Sequence, residues 1–353
     1  MYLGNMNNPQ RSFRFVSPLV CGVVLVAWVL VAFQVPNPSL RDEESVLDLL
    51  MDLGDSVALK YASVSTEPEI IRRGTEIIEE GRTIGPDGHL SDYVSKFYNC
   101  TSCHNPVQED PDLRVSDPEA RLAYAEEKGL PFLQATTFYG ILNRESWYNE
   151  DYYKKYGEWV YPANGDVREA IQLCARECAQ GRPVLDWELE AIMAYYRSRA
   201  FRVADLGFSA QEKEELAQAR TEGGHFPGLV SMIKSKYLTY SPATFGEPPT
   251  DLKKGYEGLR GNAERGEKVF TLGCQSCHRP EGVSEVVLDK SRFTFQKLKK
   301  NLLTYTNYSI YQIARHGTHP EPGHRPYMPH YTLERMSHQQ LEDLRAYIER
   351  EAR

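Results

Sequence analysis

Basic residues are in the minority: 41 Lys and Arg against 49 Asp and Glu leave a net charge of −8 over 353 residues. Nucleic-acid binders concentrate cations, so this balance excludes that class. No glycine-rich phosphate loop, hydrolase triad or paired-carboxylate motif is present, which removes the commonest signatures of nucleotide and hydrolytic chemistry. The sequence has a single long hydrophobic run, at its N-terminus, so it is not a polytopic membrane protein. With 41% hydrophobic and 25% charged residues it is not a disordered polymer either. Cysteine is sparse, and its count, seven, is odd. Four cysteines fall in two Cys-x-x-Cys-His pentads, two form the pair Cys174 and Cys178, and Cys21 stands alone, which excludes a disulfide framework.

Arg11 and Arg14 precede a stretch without charge from Phe15 to Leu40, almost purely apolar between Leu19 and Phe33. About 20 such residues cross a bilayer core of roughly 30 Å. The charged start, apolar middle and following Pro36 and Pro38 also suit a cleavable export signal. No small-x-small site follows the run and Trp28 lies inside it, so an uncleaved anchor over residues 1–40 is the expectation. The two arginines place its start in the cytoplasm and the remainder on the periplasmic side of the cytoplasmic membrane. Cys21 sits at the start of the run, where it reads as a lipid-facing or packed residue and not as a lipidated one.

The pentads are Cys100-Thr101-Ser102-Cys103-His104 and Cys274-Gln275-Ser276-Cys277-His278, both of the c-type haem attachment pattern. Two thiols one helical turn apart reach the two vinyl groups of one porphyrin, and the adjacent histidine meets the iron. A zinc site would need two further ligands at comparable spacing, and a redox dithiol has no use for the histidine. The flanks repeat as well. Arg73-Gly74 precedes the first pentad and Arg265-Gly266 the second, each expected to open a short amphipathic helix. The second glycine reaches its cysteine in eight residues and the first in twenty-six, through a Gly85-Pro86-Asp87-Gly88 loop. Two diverged copies of one module account for this. The fold expected is mainly α: two cytochrome c-type haem modules in tandem behind one N-terminal transmembrane helix. Residues 41–68 read as a linker, 69–200 as the first module, 201–261 as an interdomain linker and 262–353 as the second module.

From Asn262 to Arg353 the chain resembles a class I cytochrome c. A helix near Tyr308–Ala314 is followed by Gly317 as its cap, then by Arg325-Pro326-Tyr327-Met328-Pro329. Ser337 and Gln340 are spaced as a capping box for a last helix whose Leu341, Leu344 and Ile348 share one face. The resemblance implies Met328 as the distal ligand opposite His278, and His/Met ligation raises the reduction potential. Met336 occupies a place where the family usually has leucine. His316, His319, His324 and His330 read as exposed loop residues near the haem edge.

The first module has no Met-Pro element. Its closing helix is expected over Asp186–Ala200, with Leu189, Ile192, Met193 and Tyr196 on one face. The stretch Ile171-Gln172-Leu173-Cys174, ahead of Gly181, resembles the thiosulfate dehydrogenase and sulfur-oxidation cytochrome family over roughly residues 65–200. That resemblance implies Cys174 as the distal thiolate opposite His104. Cys178 falls where a family serine is common. A Cys174–Cys178 disulfide is a competing reading, disfavoured by side-chain directions at i, i+4. A further alternative leaves both as structural thiols, with Met193 or His89 as ligand. The family's basic residues around its cysteine are out of register here: Ala170 occupies one such place, and the nearby supply is Arg168, Arg176 and Arg182. A tyrosine-rich insertion, 130–161, separates pentad and cysteine.

Together these readings imply two covalently bound haem c groups and single-electron transfer, from a lower-potential first haem to a higher-potential second. Redox partner proteins are expected. The donor would be a quinol-oxidising complex or a sulfur-oxidising system, and the acceptor a small cytochrome or a terminal oxidase, presenting a basic surface to this acidic chain. A subunit of a respiratory or photosynthetic complex has the same signature. The alternative is an enzyme, a thiosulfate dehydrogenase forming tetrathionate, with Cys174 as its catalytic residue.

Overall fold

The computed structural model describes residues 39–319 and 327–353. The expected anchor, with Cys21, and His324 therefore lie outside the described residues. Among those described, no helix is long and apolar enough to cross a membrane. They are helical, with two isolated antiparallel bridges and no strand. In chain order the helices are α1 (Val46–Asp52), α2 (Pro68–Glu80), α3 (Pro118–Lys128), α4 (Glu150–Tyr156), α5 (Val160–Gly165), α6 (Val167–Leu173) and α7 (Asp186–Ser198). There follow α8 (Ala210–Glu222), α9 (Pro227–Lys234), α10 (Ala263–Val269), α11 (Gln275–His278), α12 (Arg292–Asn301), α13 (Ile310–His316) and α14 (His338–Glu351). Proline in the first turn starts α2, α3 and α9, where its missing N–H leaves nothing unpaired.

Two helix crossings organise the chain, α2 on α7 and α10 on α14. A glycine sits at each. A Cβ on Gly74 would overlap the Ala191 carbonyl oxygen and lie 2.9 Å from the Tyr195 Cβ, and one on Gly266 would overlap the Asp343 carbonyl oxygen. Glycine inside a helix costs about 1 kcal/mol relative to alanine, a cost offset here by the close backbone approach it permits. The Arg-Gly pairs therefore lie in the middle of α2 and α10 and do not open them. The openings are set by Pro68 and by Asn262, whose side chain accepts from the Arg265 amide at 2.9 Å. Gly266→Ala should push α10 off α14 and cost about 1–3 kcal/mol, as overpacking does. The measurement is the denaturant midpoint at unchanged slope, and an unmoved midpoint would mean the helices separate freely.

The C-terminal elements follow the sequence pattern closely. Gly317, at φ 64°, stops α13. Ser337 and Gln340 exchange hydrogen bonds of 3.0 Å in each direction as a capping box. Leu341, Leu344 and Ile348 are buried with Val269 and Phe270 in the second core.

The stretches expected as linkers are largely packed. From 41–68, Val46, Leu47, Leu50, Leu53, Tyr61 and Val64 enter the same core as Ile77 of α2 and Ile192 of α7. From 201–261, Phe201, Val203, Leu206, Leu216, Ile233 and Tyr237 join them, while Leu252 enters the second core. Their apolar residues come in short runs that look like linker until partners from distant helices cover them.

Buried polar contacts join the two halves. Arg335 pairs with Glu109 at 2.7 Å, the side chains only 5% and 1% exposed. Arg335 also donates to the carbonyls of Leu133 (3.1 Å) and Ala135 (2.6 Å). Arg121 lies 3.9 Å over the Phe132 ring and donates to the carbonyls of Leu133 and Arg335.

Candidate cofactor sites

The first pentad begins as a single 3₁₀ turn, Cys100–Ser102, in which the Cys103 and His104 amides bond back to the Cys100 carbonyl. The His104 ring is held on two sides. Its Nδ1 lies 2.5 Å from the Thr136 carbonyl oxygen, and Phe138 stacks on it at 4.5 Å and 17°. An Nδ1–H engaged by a carbonyl leaves the Nε2 lone pair free for a metal. Burial pulls the imidazole pKa down to about 4, so the ring is neutral. Burial likewise pushes the Cys100 thiol up to about 11 and Cys274 to about 12. Among the described residues no group of three His, Cys, Asp or Glu side chains is placed to hold a metal ion.

A cavity of about 1650 Å³, part of it open to solvent, adjoins this pentad. Cys100, Cys103 and His104 line it together with Cys174 and Cys178, and Val94, Phe138, Val167, Ile171 and Ile192 supply apolar wall. Cys174–Cys178 forms a π-helical turn continuing α6, a local widening that proteins favour at functional sites. The chain then reverses through Gln180, at φ 53°, and Gly181, where a Cβ would overlap the Val94 carbonyl oxygen. Hydrogen bonding from Cys174 holds the Cys178 thiol below the usual range, against the opposing effect of burial. The same bond pushes Cys174 up. Tyr156 Oη lies 3.4 Å from Cys178 Sγ.

The other sequence-derived candidates lie elsewhere. Met193 is fully buried in the first core, His89 sits in the loop where the Gly85 amide bonds its carbonyl, and neither lines the cavity. Arg168 pairs with Glu190 at 3.0 Å, Arg182 with Glu188 at 2.6 Å, and Arg176 lies 4.7 Å over the Trp159 ring. None of the three lines the cavity.

What sequence reasoning misses comes from two places. The insertion supplies Arg144, Trp147, Tyr148, Tyr152 and Tyr156; its density of tyrosines is the signal that marks it. The second module supplies Tyr327, His330, Glu334 and Arg335, for which no local signal exists. His330, expected as an exposed loop residue, is 7% exposed, with Nδ1 3.0 Å from Lys155 Nζ. Tyr327 is tied in by its amide to Gln180 Oε1 at 3.1 Å and by the Tyr98 hydroxyl on its carbonyl. That loop must cover the cavity to bury its own aromatic residues.

At the second pentad the geometry repeats in part. A π-helical turn, Phe270–Cys274, runs into α11, and His278 Nδ1 lies 2.6 Å from the Val286 carbonyl oxygen. Met328 is half-buried against the second core, its backbone paired both ways with Thr318 at 2.8 and 2.9 Å. Met336 is a core residue, 2% exposed. Residues 263–350 match the family model for cytochrome c. The chain carries a cytochrome c domain. Covalent haem c and electron transfer by a haem protein follow for this domain, which contains Cys274, Cys277, His278 and Met328. No curated protein and no solved structure matches the chain.

Proposed function

We propose that the chain is a dihaem cytochrome c, anchored by its N-terminal run, that passes single electrons on the periplasmic side of the cytoplasmic membrane. One observation carries the second haem: the first pentad shares with the cytochrome c domain a histidine whose Nδ1 is fixed by a backbone carbonyl, and it opens on a cavity with a largely apolar lining. Cys100 and Cys103 would hold the porphyrin by thioethers, and His104 and the Cys174 thiolate would serve as iron ligands. In the cytochrome c domain, Cys274, Cys277, His278 and Met328 have the corresponding roles. The cofactors supply one-electron exchange at iron.

The protein's part is placement. Residues 132–136 touch both sites: the Phe132 amide donates to the Leu272 carbonyl at 2.9 Å, and the Ala135 amide to the Cys103 carbonyl at 3.1 Å. This short strap keeps the two pentads at a fixed spacing. A net charge of −8 favours basic donors and acceptors, a quinol-oxidising or sulfur-oxidising system on one side and a small cytochrome or oxidase on the other, or neighbours within a respiratory complex.

Thiosulfate dehydrogenase activity at the first site is the second reading. The cavity at Cys174 favours it, and the engagement of Arg168, Arg176 and Arg182 elsewhere counts against it. Cys174→Ala should replace the low-spin electron paramagnetic resonance signal of the first haem while the second keeps its own. An unaltered spectrum would remove Cys174 as ligand. Purified protein should remain oxidised in millimolar thiosulfate, and steady reduction under those conditions would establish the enzyme in place of the carrier.

A further inference from the structure

We propose that Arg144 binds a carboxylate of the first cofactor, a propionate of the porphyrin, inside the cavity. The inference rests on the reading of that cavity as a haem site. Arg144 follows the Ile141–Asn143 turn, and its side chain lines the cavity. Among the described residues it makes no side-chain hydrogen bond, and no carboxylate comes within 4 Å of it. Burial pulls its pKa down, with Glu109 nearby only partly compensating.

Two of the surrounding carboxylates are already engaged, and the third, Asp110, whose Oδ1 is buried without a partner, lies beyond 4 Å of Arg144. Glu109 is held by Arg335, Asn105 and the Thr137 amide, and Glu334 accepts from the Thr244 amide at 3.0 Å. Arg335, the other arginine on the cavity wall, is consumed by Glu109 and two carbonyls. A guanidinium on a cavity wall without a partner is available to an anion entering that cavity, and its planar fork matches a carboxylate bidentately. A porphyrin of the haem c type brings two such carboxylates into the protein with it. A small anion drawn from solution has the same chemistry, and the experiment separates the two sources.

The test is potentiometric titration of full-length holoprotein, wild type, Arg144→Gln and Arg144→Lys, each first assayed for haem content as the pyridine haemochrome. Removing a cation beside the cofactor disfavours the added electron. R144Q should therefore lower the reduction equilibrium of the first haem about tenfold, equal to 59 mV for one electron, and leave the second haem unmoved. R144K, which keeps the charge, should recover most of the shift. An R144Q protein with two haems and a wild-type potential overturns the assignment. So does a spectral response of wild type to added thiosulfate or sulfate that R144Q lacks, which would give the site to a free anion. Loss of the first haem from R144Q with its retention in R144K supports the assignment, because the charge is then needed to seat the group; loss from both overturns the simple carboxylate clamp. A wild-type content of one haem per chain would instead refute the dihaem reading itself.

Discussion

Replacing Cys100 and Cys103 by alanine is expected to halve the covalent haem of the chain, from two groups per polypeptide to one, and to destabilise the N-terminal core severely. On the proposed reading the two thiols are the attachment points, and without them the cavity keeps its apolar lining and loses its content. Apolar space left unfilled in a protein core costs stability in proportion to its size. A group bound only by the folded state also contributes its binding free energy to folding. Cys274→Ala with Cys277→Ala should leave one haem as well, this time on the first pentad. Pyridine haemochrome content and intact mass read the outcome directly. If the Cys100/Cys103 variant keeps a full complement of haem, the first pentad is not an attachment site and the dihaem proposal fails.

The second large effect is expected at the ion pair between the halves. Arg335→Met strands Glu109, which is 1% exposed, and removing one member of a buried pair costs about 3–5 kcal/mol. For a chain of this size that corresponds to a fall in Tm of about 4–7 °C. Pairing the change with Glu109→Leu should recover much of the loss, since an apolar pair of similar volume leaves no charge uncompensated. A single variant melting within 2 °C or so of wild type would show that water reaches Glu109. The same pair predicts an acid limb. Burial by itself would raise the Glu109 pKa, but the Arg335 guanidinium overrides it and holds the carboxyl at about 2, against an ordinary 4.5. A depressed folded-state pKa contributes stability that is complete above the unfolded value and is lost as pH falls toward the folded one. The wild type should therefore lose stability between about pH 4.5 and 2, and the E109L/R335M protein should show a shallower loss across that interval.

Legibility in the sequence follows the range of the interactions involved. The capping box at Ser337 and Gln340, the glycine stop at Gly317 and the apolar face of α14 are set by residues within a few positions of one another, and periodicity finds them. The function of Gly74 and Gly266 depends on backbone from Ala191 and Asp343, so the sequence marks the Arg-Gly repeat but not the crossing it serves. The packing of 41–68 and much of 201–261 escapes for the same reason. At the candidate site, the pentads announce themselves by residue type and spacing, and Cys174 enters through the family resemblance. Tyr327, His330 and Arg335 do not, because they reach the cavity from more than two hundred positions beyond the first pentad. Composition alone hints at the tyrosine-rich insertion, without saying which rings face inward.

The loop bearing Tyr327 and His330 has a consequence for biosynthesis. Translation delivers Cys100, Cys103 and His104 long before it delivers the residues that wall their cavity. A half-made chain thus carries its first pentad before the later residues that line the same cavity exist. The site synthesised first depends on residues synthesised last, and a fragment ending before Tyr327 carries the first pentad without Tyr327, His330, Glu334 and Arg335, which wall part of its cavity.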